Sequence, residues 1–188
     1  MRLTSKMFIE HLEKPPRACS DAIDFCRGKS PKKSWDTCER GDWMLWEATH
    51  AGVDSKLILT AMCKCVRPVL LLVKDADSRP PRIVIETIEA YVQGDATIGD
   101  VRIAACAIDD DAAAHIVHAA ANAVDAAHAA HVTYAAAHVA NAATHAAHAA
   151  AYTKRKEASK LQAKMVREVI SYKVIHAALV KKIQEAKP

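Results

Sequence analysis

SWDTCERGDWMLWEATHAG, residues 34–52, holds all three tryptophans of the chain and sets how the rest is read. Ser34 is placed to cap a short helix through Trp35 and Cys38, which Gly41 ends. Asp42 comes next as the expected cap of a second helix, stopped in turn by Gly52. The Arg-Gly-Asp is then a sharp corner between two helices and not an adhesion signal. Trp43 and Trp46 share a helix face at i, i+3. The three indoles are the expected bulky fillers of a core otherwise built of Ala and aliphatics.

The same grammar of apolar spacing and stop signals runs outward in both directions. Residues 1–13 read as a helix ended by Pro15-Pro16. ACSDAIDFC puts Cys19, Ile23 and Cys26 at i, i+4, i+7, with Gly28 closing that helix. The stretch RGKSPKKS between them and the Trp corner reads as a basic, turn-forming linker. Downstream, Asp54 begins SKLILTAMCKCVRPVLLLV, which Pro68 is expected to kink or split. DADSRPP reads as a loop, and Pro81 opens RIVIETIEAYVQG, where its missing N–H costs nothing. Ile83, Ile85 or Ile88, and Val92 give that helix its apolar face; Gly94 ends it, and Thr97 or Asp95 caps the next segment. No stretch shows the period-two alternation of a strand. The expected fold is all-α: a multi-helix bundle with Ala-rich, closely packed helices, residues 1–188 forming a single domain.

Composition agrees. Of 188 residues, 51% are hydrophobic but only 5% aromatic, so Ala supplies much of the apolar content, and Ala has the strongest helix propensity. A net charge of +4 is mildly basic. With no aromatic-plus-Arg platform beside it, that charge does not point to nucleic acid. The segment MRLTSKMFIEHLEKPP is too charged for a signal peptide. The longest apolar run is broken by Lys64, Arg67 and Pro68, so no membrane span is expected. A cytoplasmic protein whose six Cys are thiols is the expectation. Cys63 and Cys65, a lone C-x-C, read as small buried hydrophobes. No Gly-rich phosphate loop, G-x-S-x-G or H-E-x-x-H is present, so neither an enzyme nor a cofactor is expected.

From Asp100 to Lys187 there is neither Gly nor Pro. One helix of that length would approach ~130 Å, so a break is expected at Asp109–Asp111, Asn122–Asp125 or Thr153–Glu157. An amphipathic helix over 160–183 then closes the chain. Residues 112–151 are about half Ala, which lets helices approach closely. His131, His138 and His145 recur every seven residues and form one stripe, flanked by His128 and His148. Imidazoles on facing helices could converge on Zn, Ni or Cu. The plainer alternative is that they are knobs, rings against Ala and nitrogens toward water or carbonyls.

Several segments in order resemble one family. Trp35, Cys38, Arg40, Gly41, Asp42, Trp43 and Trp46 come first, then Ile85 and Glu86, then Gly94, Asp95, Ala96 and Thr97, then Val101 and Arg102, and finally the Ala-rich tract. This succession, over about residues 17–170, is similar to the immunity-five-like, all-helical group of immunity proteins in bacterial polymorphic toxin systems. In that group the tract carries mostly Tyr where His stands here, and the helix beyond about 170 has no counterpart. The resemblance implies a cytoplasmic protein that binds a cognate protein toxin and neutralises it by occlusion, with no nucleic acid or membrane as partner. Self-association into a homo-oligomer is compatible with it. The polar motif members Arg40, Asp42, Glu86, Asp95 and Arg102 are the candidate partner contacts. Each also sits at or near an expected helix end, where it would serve as a cap or an ion pair. Trp35, Cys38, Gly41, Trp43 and Trp46 are the structural signature. The alternative reading is a His-rich helical metal-binding or stress protein, its ligands drawn from His128, His131, His138, His145 and His148.

Overall fold

The computed structural model describes residues 3–15, 17–70, 79–106 and 152–186, and every regular element in them is a helix. The Ala–His tract, with His128, His131, His138, His145 and His148, lies outside the described residues, as do the breaks expected at 109–111 and 122–125. In chain order the helices are α1 (Ser5–Glu13), α2 (Ser20–Cys26), α3 (Pro31–Thr37), α4 (Gly41–Ala51) and α5 (Ser55–Leu70). They continue with α6 (Arg79–Gln93), α7 (Ile98–Cys106), α8 (Tyr152–Val169) and α9 (Tyr172–Glu185). The all-α class is therefore as the sequence indicated.

Local chemistry accounts for most ends. Thr4 caps α1 by accepting from the Met7 N–H at 3.2 Å. α4 stops at Gly52, whose φ of +80° only glycine adopts without strain. Thr97 and Asp100 form a reciprocal box at the start of α7: the Thr97 N–H donates to Asp100 Oδ2 at 2.7 Å, and the Asp100 N–H to Thr97 Oγ1 at 3.2 Å. α5 is not split at Pro68; the helix runs on through it to Leu70.

Five local expectations are corrected. The linker RGKSPKKS is partly helical, because Ser30 accepts from the Lys33 N–H and Pro31 fills the first helical position of α3. Ser34 is consequently a buried residue inside α3, not its cap. Gly41 does not end a helix but begins α4. A Cβ there would stand 2.7 Å from Gln162 Cβ of α8, so glycine is required for close approach of two helices. Asp42 is not the α4 cap either; Arg40 holds that position, without a side-chain cap bond. On α6 the apolar face is Val84, Ile85 and Ile88, all fully buried, while Ile83 is 52% exposed.

The C-terminal region departs most. Thr153–Glu157 lies within α8 and is not a break, and the break falls at Ser171, which is extended (φ −68°, ψ 158°). The reason is a phase slip. Ala163, Val166 and Ile170 make one buried stripe, and Ile175 and Leu179 make another. On a continuous helix the second stripe would lie on nearly the opposite face, at about 100° per residue. Turning the chain at Ser171 lets both stripes reach the same core.

α8 packs along α4 and α5, α5 on α6, and α6 on α7. α9 returns across α4 and α3, and α1, α2 and α3 follow one another around its other side. Ile23, Met44, Leu45, Ile58, Ile170, Ile175 and Leu179 form the centre of the core, each 2% exposed or less. Arg167 of α8 ties the Trp corner to it: its guanidinium donates to Cys38 O at 2.7 Å and Trp35 O at 3.3 Å. It satisfies carbonyls that the end of α3 leaves without helical partners.

Candidate binding cleft

α1, α2, α3, α4 and α9 converge on a cavity of about 500 Å³. α4 is buried almost all round, with Gly41, Met44, Leu45, Ala48, Thr49 and Ala51 packed away. The Arg40–Trp43–Trp46/Glu47 stripe at its start, at i, i+3 and i+4 steps, supplies the cleft with most of its character. Phe8 and Leu12 of α1, Phe25 of α2, Trp35 of α3, and Tyr172, Ile175 and Leu179 of α9 complete an aromatic and aliphatic lining. The indoles thus differ in role. Trp35 is buried, as a core filler should be, whereas Trp43 and Trp46 are half-buried walls of the cavity.

At the rim, Arg40 and Asp42 form a forked pair, with Arg40 Nε donating to Asp42 Oδ1 at 2.8 Å and Nη2 to Oδ2 at 2.5 Å. That pairing holds the guanidinium above its ordinary pKa. The guanidinium carbon also lies 4.6 Å from the Trp43 ring centroid, a cation–π distance. Cys38 is buried beside the rim and its thiol donates to Arg40 O at 3.4 Å. Burial pushes that thiol up to about 11, so it is not an activated nucleophile.

Deeper in, Glu47 belongs to the cavity wall and is 6% exposed. Neither carboxyl oxygen has a hydrogen-bond partner among the described residues, and Trp35 Nε1 is likewise buried and unpaired. His11 Nε2 of α1 stands 3.6 Å from Glu47 Oε1, too far for a hydrogen bond. Burial alone raises the Glu47 carboxyl to about 8. Burial first, then the charges of His50, Lys14 and Lys182, lowers His11 to about 4. Although the two groups stand at ion-pair distance, both are therefore neutral near pH 6. His50 stacks on Trp46 with centroids 3.8 Å apart. Its Nδ1 lies 3.2 Å from Trp46 O, which assigns the proton to that nitrogen, and burial lowers its pKa.

Of the sequence candidates, Arg40 and Asp42 meet at this cleft with Trp35, Cys38, Trp43 and Trp46. Glu86 is exposed on α6 and Asp95 is exposed in the turn after it; neither lines the cavity. Arg102 lies on α7, and its side chain is outside the described part of the structure. Glu47, His11 and Arg167 were not singled out from the sequence. Glu47 had a signal: a helix apolar on every side leaves its one internal carboxylate no solvated face. Cys63 and Cys65 are buried small residues, 1% and 3% exposed. Among the described residues no three His, Cys, Asp or Glu side chains converge to hold a metal ion. Among them, too, no helix is long and apolar enough to cross a membrane.

Compared with family models, curated proteins and solved structures, the chain matches none.

Proposed function

We propose that this protein binds a cognate toxin in the cytoplasm and neutralises it by occlusion, as immunity proteins of polymorphic toxin systems do. The ordered motifs from Trp35 to Arg102 support that reading. The observation that carries it is where those motif residues gather. Arg40, Asp42, Trp43 and Trp46 sit together at the mouth of one cleft, with the Arg40 guanidinium on the Trp43 ring. Trp and Arg in partly desolvated clusters are the residue types that dominate binding energy at protein interfaces. Occlusion asks for such a complementary patch and for no reacting group. The charged fork supplies register and the indoles supply area.

The test is co-expression with the toxin domain encoded by the adjacent reading frame. The native protein should restore growth. Trp43→Ala and Arg40→Ala, checked to retain their melting temperatures, should each weaken complex formation by ~2 kcal/mol or more, a loss of roughly 30-fold. Unchanged toxin lethality with the native protein would overturn the proposal for that pair.

A further inference from the structure

The cleft behind the Arg40–Asp42 fork is apolar inside and cationic at its edge. Phe8, Leu12, Trp35, Met44, Ile175 and Leu179 are buried residues of a lining that encloses about 500 Å³, the size of a small-molecule site. Glu47 puts no negative charge into that space. Its carboxyl oxygens are buried, and Oε1 stands 3.6 Å from His11, which is outside the lining. Burial also keeps the group a neutral acid below about pH 8.

Cations of the protein itself already cover the ring faces at the edge. Lys29 Nζ lies 3.2 Å from the Phe25 ring centroid, the Arg40 guanidinium carbon 4.6 Å from that of Trp43, and Lys32 Nζ 5.7 Å from that of Tyr172. His50 stacks on Trp46. Two of these cations are matched, Arg40 by Asp42 and Lys32 by Asp36. Lys29 has no carboxylate partner among the described residues; its ammonium donates to Phe25 O. Arg17, an exposed lining residue on the connection from α1 to α2, has no ion pair or side-chain hydrogen bond among them either. Asp21, four residues on, is outside the lining and pairs with neither. The edge thus carries two positive charges that these neighbours leave unmatched, beside a low-dielectric chamber that concentrates their field. A ligand cation would meet like charge here, and a ligand anion its complement.

We propose that this cleft binds a small apolar carboxylate, its hydrocarbon or aryl body in the chamber and its carboxylate paired with the Arg17 guanidinium. The planar guanidinium matches the two oxygens of a carboxylate. Lys29 lies beyond the other end of α2 from Arg17, so it contributes field and not contact. A neutral alcohol of the same shape gains the apolar burial without the pairing, and an amine of the same shape is repelled. The proposal does not rest on the toxin-binding reading, and its test uses no toxin.

All three tryptophans of the chain line the cleft, so their emission reports its occupancy. The full-length protein is titrated with 3-phenylpropionate, 3-phenylpropan-1-ol and 3-phenylpropan-1-amine near pH 6.5, by tryptophan emission and by calorimetry. The acid should bind one to one and roughly tenfold tighter than the alcohol, with the amine weakest of the three. Raising the salt from about 20 to 300 mM should weaken the acid several-fold and leave the alcohol unchanged. Arg17→Gln should cost the acid about fivefold and Lys29→Gln about twofold, so the double variant should bind acid and alcohol alike. Equal affinity for acid and alcohol in the native protein would overturn the proposal. So would a tighter-binding amine, no binding of the acid, or calorimetric binding of the acid without a change in tryptophan emission. An Arg17→Gln protein that keeps the native affinity for the acid would overturn it too. The ligand series and the salt dependence need no variant, so they decide the matter even if Arg17→Gln fails to fold.

Discussion

Replacing Glu47 by Gln should move the pH of greatest stability from the acidic side toward the alkaline side. In the unfolded chain a Glu carboxyl titrates near 4.5 and a His near 6.5; in the fold they titrate near 8 and near 4. Between pH 4.5 and 6.5 the unfolded pair carries one proton, on His11, and the folded pair also carries one, on Glu47. Stability is then flat with respect to this pair. Above 6.5 the unfolded pair has lost its proton while the folded pair keeps it until about 8. The stabilising contribution of the neutral acid is therefore lost as pH rises through that window. An interval of about 1.5 pH units at ~1.4 kcal/mol each gives about 2 kcal/mol. Below 4.5 the sign reverses, because both groups of the unfolded pair are then protonated while His11 stays neutral in the fold down to about 4. In Glu47→Gln only the histidine side remains, so stability should rise from about pH 4 to 6.5 and then level off. Urea unfolding of both proteins at constant ionic strength, at pH 5.5, 6.5, 7.5 and 8.5, measures the difference. Taking the difference cancels every other titrating group, including Lys14 and Lys182 around His11. A gap between the two proteins that is the same at pH 6.5 and 8.5 would refute a protonated, buried Glu47.

Three further outcomes rest on the packing. Gly41→Ala adds helix propensity of about 1 kcal/mol, but its Cβ would press on Gln162 Cβ at 2.7 Å; overpacking of ~1–3 kcal/mol should prevail and lower the melting temperature. Arg167→Met keeps the stem but strands the carbonyls of Trp35 and Cys38, at about 1–3 kcal/mol in denaturant melts, and Arg167→Lys should recover only part. Burial raises the thiols of Cys38, Cys63 and Cys65 to about 11, 12 and 12. Their unfolded forms ionise near 9, so stability should fall by ~4 kcal/mol per pH unit above that value, and Cys63→Val should make the fall about one-third shallower in alkaline unfolding curves.

Much of the helical order was legible because helix ends are local events. Thr4, Gly52, Gly94 and the Thr97–Asp100 box act over three or four residues, and their chemistry is complete within the segment that contains them. The break at Ser171 was missed, since its sequence signal is the slip between the Ala163–Val166–Ile170 and Ile175–Leu179 stripes. A search for Gly or Pro passes over it.

The sequence by itself determined that this chain is all-α, where most of its helices stop, and that the Trp35–Trp46 stretch is a corner between two of them. Only the tertiary structure decided what the corner is for. Gly41 is glycine because α8, more than a hundred residues on, lies against it. Val84 is buried and Ile83 is not, because the packing of α5 and α7 selects which face of α6 is covered. Glu47 is an ordinary carboxylate in one dimension and an unpaired buried acid in three, since α1, α4 and the cavity wall remove its water together. Capping depends on neighbours in the chain, whereas close approach and desolvation depend on which distant segments arrive.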